Sequence, residues 1–143
     1  MNVAGILKDK GVDIITASAD DDITSIAGVL SGKKIGAILI VDASNAVLGV
    51  ISERDIVNGL ANHGIACMSS KAEELMTKNV ISCSRSDTIN QVMALMTTKR
   101  IRHLPVMDDA KLVGFISIGD VVKFRMDEIE REAAAMRDYI ATG

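Results

Sequence analysis

From about residue 13, short apolar stretches alternate with segments whose apolar residues are spaced as on one face of a helix. An apolar stretch near 13–17 leads to three consecutive aspartates, which are typical of a helix start. Apolar residues then recur three and four positions apart over 23–30, a spacing that predicts one buried helix face. Two apolar runs at 35–41 and 47–51 predict a pair of strands covered on both faces, and a second helix follows them.

The same order of elements returns 66 residues further along the chain. The apolar stretch near 80–83 aligns with 13–17, and a second helical spacing covers 89–96. Apolar runs at 103–107 and 112–116 complete the copy, with the offset reduced to 65 by one residue lost in a turn. A register held over about forty residues predicts a duplicated β-α-β-β-α unit, and two equal units are expected to pack about a pseudo-twofold axis. A short helical turn is also expected within 70–76.

One motif closes the last strand of each copy: Gly, two apolar residues, Ser, two further residues and Asp. It spans Gly49–Asp55 and Gly114–Asp120. Ser followed three positions later by an acid is typical of a helix capping box. The same hydroxyl, carboxylate and free N–H groups also suit a ribose phosphate, with the acid on the ribose diol. Both interpretations stay open here, and Arg54 supplies a fork-shaped cation for phosphate in the first copy.

The order of these features resembles a pair of CBS domains, the repeats named after cystathionine β-synthase and often called a Bateman module. The resemblance rests on the duplication, on the two Gly-to-Asp motifs, on Met76–Val80 and on Arg102–Val106, and it covers roughly residues 8–125. It predicts a mixed α/β fold with these divisions: a first repeat at 8–65, a second repeat at 70–125 and a C-terminal helix at 120–141.

The resemblance implies a regulatory, energy- or redox-sensing protein. In such pairs the cleft between the repeats binds an adenosine ligand: AMP, ADP, ATP, sometimes NAD(H) or S-adenosylmethionine. The motif Asp would hold the ribose hydroxyls, the motif Ser would lie nearby, and the residues before Leu-Pro-Val would contact phosphate. Together with Arg54, the expected ligand contacts are Ser52, Asp55, Arg102, His103, Ser117 and Asp120, with Thr16, Ala17, Ser82 and Cys83 lining the base.

The two copies differ on the strand that is expected to face the phosphate. The second copy carries Arg102 and His103 where the first has Gly36 and Ala37. We therefore expect the second copy, with Asp120, to hold the tighter anionic ligand, and we expect affinity to fall as pH rises through the titration of His103. A satisfied histidine at a strand edge is the alternative for His103. Since the chain has only three aromatic residues, aliphatic side chains are expected to hold the base.

Composition and charge argue against several other classes of protein. The 143 residues carry a net charge of −3, which does not favour nucleic acid as a partner. Two cysteines and two histidines lack the spacing of a zinc site, so no metal is expected and the thiols are predicted to lie in the core. The sequence shows no Walker loop, no GxSxG and no nucleophile–base pair, and it does not predict an enzyme. With neither a transmembrane run nor a signal peptide, a cytoplasmic protein without membrane contacts is expected.

Helical spacing continues after the second motif almost to the end of the chain. Its apolar residues recur in a heptad-like pattern of four and three positions, which favours a helix pair in a homodimer. Packing on the chain's own core, or on the N-terminal helix near Val3, Ile6 and Leu7, is the alternative. A structural dimerisation module with empty or non-nucleotide clefts stays open as an alternative function. An unidentified effector protein stays open as a partner. The seam residues are Val122, Met126, Ile129, Ala133, Met136 and Ile140.

Overall fold

The computed structural model describes residues 1–11 and 13–142. Over these residues the chain forms six α-helices, one 3-10 helix and five strands in two small sheets. The mixed α/β duplication predicted from the sequence is confirmed. In chain order the elements are α1 (Val3–Lys10), β1 (Thr16–Ala17), α2 (Ile23–Lys33), β2 (Ala37–Val41), β3 (Val47–Ser52), α3 (Glu53–His63), the 3-10 helix (Gly64–Ser69), α4 (Ala72–Leu75), α5 (Ile89–Lys99), β4 (His103–Asp108), β5 (Lys111–Ser117) and α6 (Ile118–Thr142).

The first repeat contains a three-stranded sheet in the order β1-β2-β3. β1 runs parallel to β2, and β2 runs antiparallel to β3. The predicted helix face is confirmed, because Ile23, Ile26 and Leu30 of α2 are buried in the core of this repeat. In the second repeat α5 buries the equivalent residues, 66 positions later.

The second repeat has an antiparallel pair, β4-β5, and the strand predicted near 80–83 is reduced to a single parallel bridge between Cys83 and Val106. Pro105 occupies the position equivalent to Leu39 of β2. Proline has no N–H to donate, so a longer ladder would lack one of its hydrogen bonds. The Pro105 carbonyl still accepts from Cys83 N at 3.0 Å, which preserves the one bridge.

Each repeat buries a helix that precedes the other repeat in sequence. Val3, Ile6 and Leu7 of α1 lie in the core of the second repeat. Ala72 of α4 lies in the core of the first repeat, with Leu75 packed against it. The predicted helical turn within 70–76 is thus present, and the exchange of α1 and α4 joins the two repeats through their cores.

Matching backbone hydrogen bonds hold the two exchanged helices. Val3 N donates to Asp87 O at 2.9 Å, and Ala72 N donates to Asp21 O at 2.8 Å. Asp21 and Asp87 are related by the 66-residue offset of the repeat. The two helix starts are therefore held in equivalent ways, as a pseudo-twofold arrangement requires.

The glycine that opens each motif permits close approach of the exchanged segment. A Cβ atom on Gly49 would lie 2.7 Å from Met76 Sδ and 2.9 Å from the carbonyl oxygen of Thr77. A Cβ atom on Gly114 would lie 2.5 Å from Leu7 Cδ2. A Cβ atom at either position would force the neighbouring atoms to shift, and at Gly49 one of these is a backbone carbonyl, so this residue of the motif serves the close packing of the exchanged segment.

The predicted C-terminal helix is confirmed as α6, whose 25 residues correspond to a length of about 37 Å. Its first turns are packed: Val121 and Phe124 are buried, and Phe124 lies against Gly5 of α1. These two residues are not part of the predicted seam. The seam itself is exposed further along the helix, with exposed fractions of 64% for Met126, 48% for Ile129, 59% for Met136 and 71% for Ile140.

Within residues 1–11 and 13–142, no helix combines the length and apolar character needed to cross a bilayer. The same residues contain no group of three or more His, Cys, Asp or Glu side chains placed to hold a metal ion. Cys67 and Cys83 are free and buried, which confirms them as core thiols. Burial, and secondly the charge of Asp87, raises the pKa of the Cys83 thiol to about 12, so this thiol stays protonated.

Candidate functional site

Two cavities, of about 410 and 400 Å³, lie between the repeats. Both volumes fall in the range of about 300–1,000 Å³ that is usual for small-molecule sites. What we call the first cleft contains the motif of the first repeat, and the second cleft contains the motif of the second. The polar lining of the first cleft is Ser52, Glu53, Arg54, Asp55, Thr77, Arg100, Arg102 and His103, and that of the second is Lys10, Asp13, Lys34, His103, Ser117 and Asp120.

In the first cleft the motif forms the capping box that its sequence suggested. Asp55 N donates to Ser52 Oγ at 3.3 Å, and Asp55 Oδ2 accepts from Ser52 N at 2.8 Å. Among the residues that the structure describes, the other carboxylate oxygen, Oδ1, accepts only a long bond of 3.4 Å from the Thr77 hydroxyl. Each carboxylate oxygen has two acceptor sites, so Asp55 can cap the helix and still accept hydroxyl groups of a ligand. The two interpretations of the motif are therefore compatible.

In the second cleft the motif caps α6 in the same way, but its carboxylate has an additional cation. Ser117 N donates to Asp120 Oδ2 at 2.8 Å, and Lys10 Nζ lies 2.6 Å from the same oxygen. Lys10 also donates to the carbonyl oxygen of Phe115 at 2.7 Å. Burial raises the pKa of Asp120, but the hydrogen bonds from Lys10 and Ser117 and the charge of Lys10 outweigh it. The pKa of this carboxyl consequently lies below its ordinary value.

The helix starts offer fewer free N–H groups than the motif suggested. Glu53 N donates to Gly36 O at 2.9 Å, and Asp55 N is used by the cap. Among the first three helical amides of α3, Arg54 N alone has no acceptor within the described part of the chain. The start of α6 has the equivalent bonds. Recognition of a phosphate group would thus depend on side chains more than on backbone amides.

Cations of the second repeat face the carboxylate of the first. Arg100 and Arg102 line the first cleft beside Arg54 and Asp55. In the described residues none of these three arginines forms an ion pair with a carboxylate. The sequence predicts that Arg102 serves the same ligand as Asp120, whereas in the structure Arg102 lines the cleft of Asp55 and not the cleft of Asp120. The clefts lie between the repeats, so the strand start of one repeat faces the helix start of the other.

His103 lines both clefts and is half-buried between them. Its ring lies 5.7 Å, centroid to centroid, from the Phe115 ring. Burial lowers the pKa of His103 below its usual value of 6.5, and the charge of Lys10 lowers it further. The opposing effect of Asp120 and Glu53 does not restore it. The imidazole is accordingly neutral at pH 7, and the expected loss of phosphate affinity on its titration falls in a more acidic window.

This pKa shift leads to a prediction about folding stability. Because the folded pKa of His103 lies below the usual 6.5, the unfolded chain binds this proton more tightly. We expect the free energy of unfolding to decrease as pH falls below about 6.5. In the His103→Gln variant the free energy of unfolding should decrease less over the same pH range. Urea unfolding of both proteins at about pH 7.5 and about pH 5.5 measures the difference. Equal losses would show that His103 does not carry this dependence.

The residues expected to line the base lie outside both clefts. Cys83 is buried in the core of the second repeat, and Ala17 packs against the core of the first. Thr16 and Ser82 are exposed and line neither cavity. Aliphatic side chains line the clefts instead: Val50, Ile101 and Ile118 in the first, and Ile14, Ile15 and Ile35 in the second.

Several lining residues were not predicted from the sequence. The sequence contained a signal for two of them. Thr77 lies within the Met76–Val80 stretch that supports the resemblance, and Arg100 aligns with Lys34 across the repeat. Lys10 had none, because 110 residues separate it from Asp120. Only the docking of α1 on the second repeat brings the two together.

Two α/β repeats with a cleft in front of each motif define a tandem-repeat module with paired sites between its halves. The family model for the CBS domain matches residues 6–62 and 72–127. The chain therefore belongs to the CBS-domain family and forms a CBS pair.

The chain is also similar to known proteins that contain CBS domains. A solved CBS-domain-containing protein of Agrobacterium tumefaciens is 44% identical with a TM-score of 0.85, covering 87% of this chain and 92% of that protein. The CBS domain pair of protein MJ0100, solved with 5′-methylthioadenosine and S-adenosyl-L-methionine, is 28% identical with a TM-score of 0.79, covering 90% and 98%. A mitochondrial CBS domain-containing protein of Arabidopsis thaliana, CBSX3, is 29% identical over 99% of this chain and 72% of its own length.

Other curated relatives are longer than this chain. It spans 57% of an uncharacterized protein of Methanopyrus kandleri and 63% of one of Acidianus ambivalens. It spans 22% of the inosine-5′-monophosphate dehydrogenase of Methanocaldococcus jannaschii, so the matched module is only a part of that enzyme.

Proposed function

We propose that this CBS pair is a regulatory module that binds an adenosine nucleotide, with the first cleft as its principal site. One observation carries the proposal. The carboxylate of Asp55, whose Oδ1 has acceptor capacity left, shares a cavity with the guanidinium groups of Arg100 and Arg102, which have no carboxylate partner among the described residues. A carboxylate that can accept from the ribose diol and guanidinium groups that can donate to phosphate lie in one cleft, and this combination suits a ribose phosphate.

The charge of the first cleft favours a phosphorylated ligand. Arg54, Arg100 and Arg102 contribute three cations, against the carboxylates of Glu53 and Asp55. Guanidinium groups bind phosphate oxygens in a bidentate manner, which suits AMP, ADP, ATP or NAD(H). The sulfonium of S-adenosylmethionine, which the MJ0100 pair holds, would meet like charge here. No Phe, Tyr or Trp among the described residues lines the first cleft, so Val50, Ile101 and similar side chains would hold the base.

Calorimetry with AMP, ADP, ATP, NAD(H) and S-adenosylmethionine tests the proposal. We expect the phosphorylated ligands to bind and S-adenosylmethionine to bind more weakly. Mass spectrometry of any small molecule released from the purified protein would identify a ligand that copurifies. Absence of binding by every compound at millimolar concentration would contradict the proposal.

A second candidate function is a structural dimerisation module whose clefts do not serve a nucleotide. The complete capping boxes favour it, because Ser52 and Asp55 already have a role as the cap of α3 without any ligand. The exposed seam of α6 favours it too, since a second copy of the helix would bury those apolar side chains. We propose the homodimer in either case. The calorimetric panel separates the two functions, because only the nucleotide-binding module responds.

In this role the protein binds its ligand and carries out no chemical step. Ligand binding in the clefts would then change the conformation of the CBS pair, and an effector protein would recognise that conformation. The cytoplasm is the compartment that we propose, because buried free thiols such as Cys67 and Cys83 persist in a reducing environment.

A further inference from the structure

The two motif carboxylates differ in the charge of the group that approaches them. Asp55 Oδ1 is approached by the neutral hydroxyl of Thr77 at 3.4 Å. Asp120 Oδ2 is approached by the ammonium group of Lys10 at 2.6 Å. A charge-assisted hydrogen bond is shorter and stronger than one from a neutral hydroxyl. A ribose hydroxyl therefore meets a strong internal competitor at Asp120 Oδ2 and a weak one at Asp55 Oδ1.

The difference follows from the unequal lengths of the exchanged helices. α4 has four residues, and the chain after it pairs with β3: Thr77 N donates to Val50 O at 2.9 Å. α1 has eight residues, and its last residue, Lys10, reaches the carbonyl of Phe115, the equivalent of Val50. The same carbonyl position is thus satisfied by a backbone amide in one repeat and by a lysine side chain in the other.

The position of Lys10 is maintained by the docking of α1. Val3 N is hydrogen-bonded to Asp87 O, and Leu7 packs on Gly114 in the core of the second repeat. A tethered cation acts at a high effective concentration, because its approach costs little translational freedom. The side chains of Lys10 and Asp120 are 37% and 27% exposed, so water screens the pair only in part.

We propose that Lys10 is an internal competitor that weakens the binding of ribose-containing ligands in the second cleft and so makes the two clefts unequal. This inference rests on the proposed function of the motif aspartates. A nucleotide fills the first cleft without displacing any protein cation. In the second cleft a ribose that takes up both carboxylate oxygens must first separate Lys10 from Asp120 Oδ2. The first cleft is consequently filled at lower nucleotide concentration than the second.

The test isolates the second cleft in an Asp55→Ala background and removes the competing charge. We expect Lys10→Met in this background to bind ADP about tenfold more tightly than Asp55→Ala alone, as loss of one charge-assisted contact implies. Lys10→Gln should act in the same direction, and it keeps a polar end if the methionine variant folds poorly. Lys8→Met is the matched control, because Lys8 is an exposed lysine of the same helix that lies outside both clefts.

The outcomes separate the inference from the proposed function. If the unmutated protein binds ADP and the Lys10 variants bind it with unchanged or lower affinity in the second cleft, the inference is wrong, and Lys10 serves the ligand or does nothing to it. If neither the unmutated protein nor any variant binds a nucleotide, the proposed function fails and the inference fails with it. If Lys8→Met increased the affinity for ADP as much as Lys10→Met, the inference would also be wrong, because the increase would reflect net charge alone.

Discussion

Replacing Asp55 with alanine is expected to weaken ADP binding to the first cleft by about a hundredfold. A hydrogen bond to a charged group contributes about 1.5–3 kcal/mol, and about 1.4 kcal/mol corresponds to a factor of ten. A carboxylate that holds both hydroxyls of a ribose would thus account for about two orders of magnitude. Calorimetric titration of ADP into the variant and the unmutated protein measures the loss.

The control must separate ligand binding from helix capping. Asp55→Ala also removes the acceptor for Ser52 N, at an expected cost of about 0.5–2 kcal/mol in the free energy of unfolding. Gln91→Ala is matched to it, because Gln91 occupies the same position in the capping box of α5 and lies outside both clefts. Both variants should lower Tm, and only Asp55→Ala should lower the affinity.

Comparison with Asp120→Ala decides which cleft binds more tightly. The sequence alone predicts the greater loss from Asp120→Ala, because Arg102 and His103 belong to its repeat. In the structure Arg102 lies in the cleft of Asp55, and Asp120 is paired with Lys10. We now expect the greater loss from Asp55→Ala. A greater loss from Asp120→Ala would contradict the assignment of the first cleft as the principal site.

Glutamate at both Ile129 and Met136 is expected to convert the proposed dimer into monomers. The two residues lie one heptad apart on the exposed seam of α6. Four buried carboxylates across a helix pair would repel one another and lose their hydration, which should weaken association by at least about a hundredfold. Light scattering over a dilution series measures the mass of the variant and of the unmutated protein.

A charge change on the opposite side of α6 provides the control. Arg131 and Ala135 are exposed and lie away from the seam, so Arg131→Glu with Ala135→Glu adds negative charge to the same helix without entering the contact. We expect this variant to keep the dimer mass. A seam variant that stays dimeric would show that another surface makes the main contact. A control variant that also dissociates would point to net charge as the cause.

Much of the fold could be predicted from local patterns. The repeat offset, the buried faces of α2 and α5 and the two capping boxes depend on residues within one or two turns of each other, so their spacing in the sequence is sufficient. The strand near 80–83 was predicted wrongly for a reason that was also local. Its neighbour β4 contains Pro105, and the loss of one backbone donor outweighed the apolar pattern.

The arrangement of the clefts depended on packing between segments far apart in the chain. The spacing of the residues was enough to predict that each repeat carries a Ser and an Asp at a helix start, because capping is a local requirement. It could not show that Arg102 faces Asp55, since that pairing arises only when the repeats are placed against each other. Nor could it show that Lys10 reaches Asp120 across 110 residues, because this contact follows from the docking of α1 on the other repeat's core. Local chemistry is thus set by the sequence, whereas the identity of the charges that meet in each cleft is decided by tertiary structure.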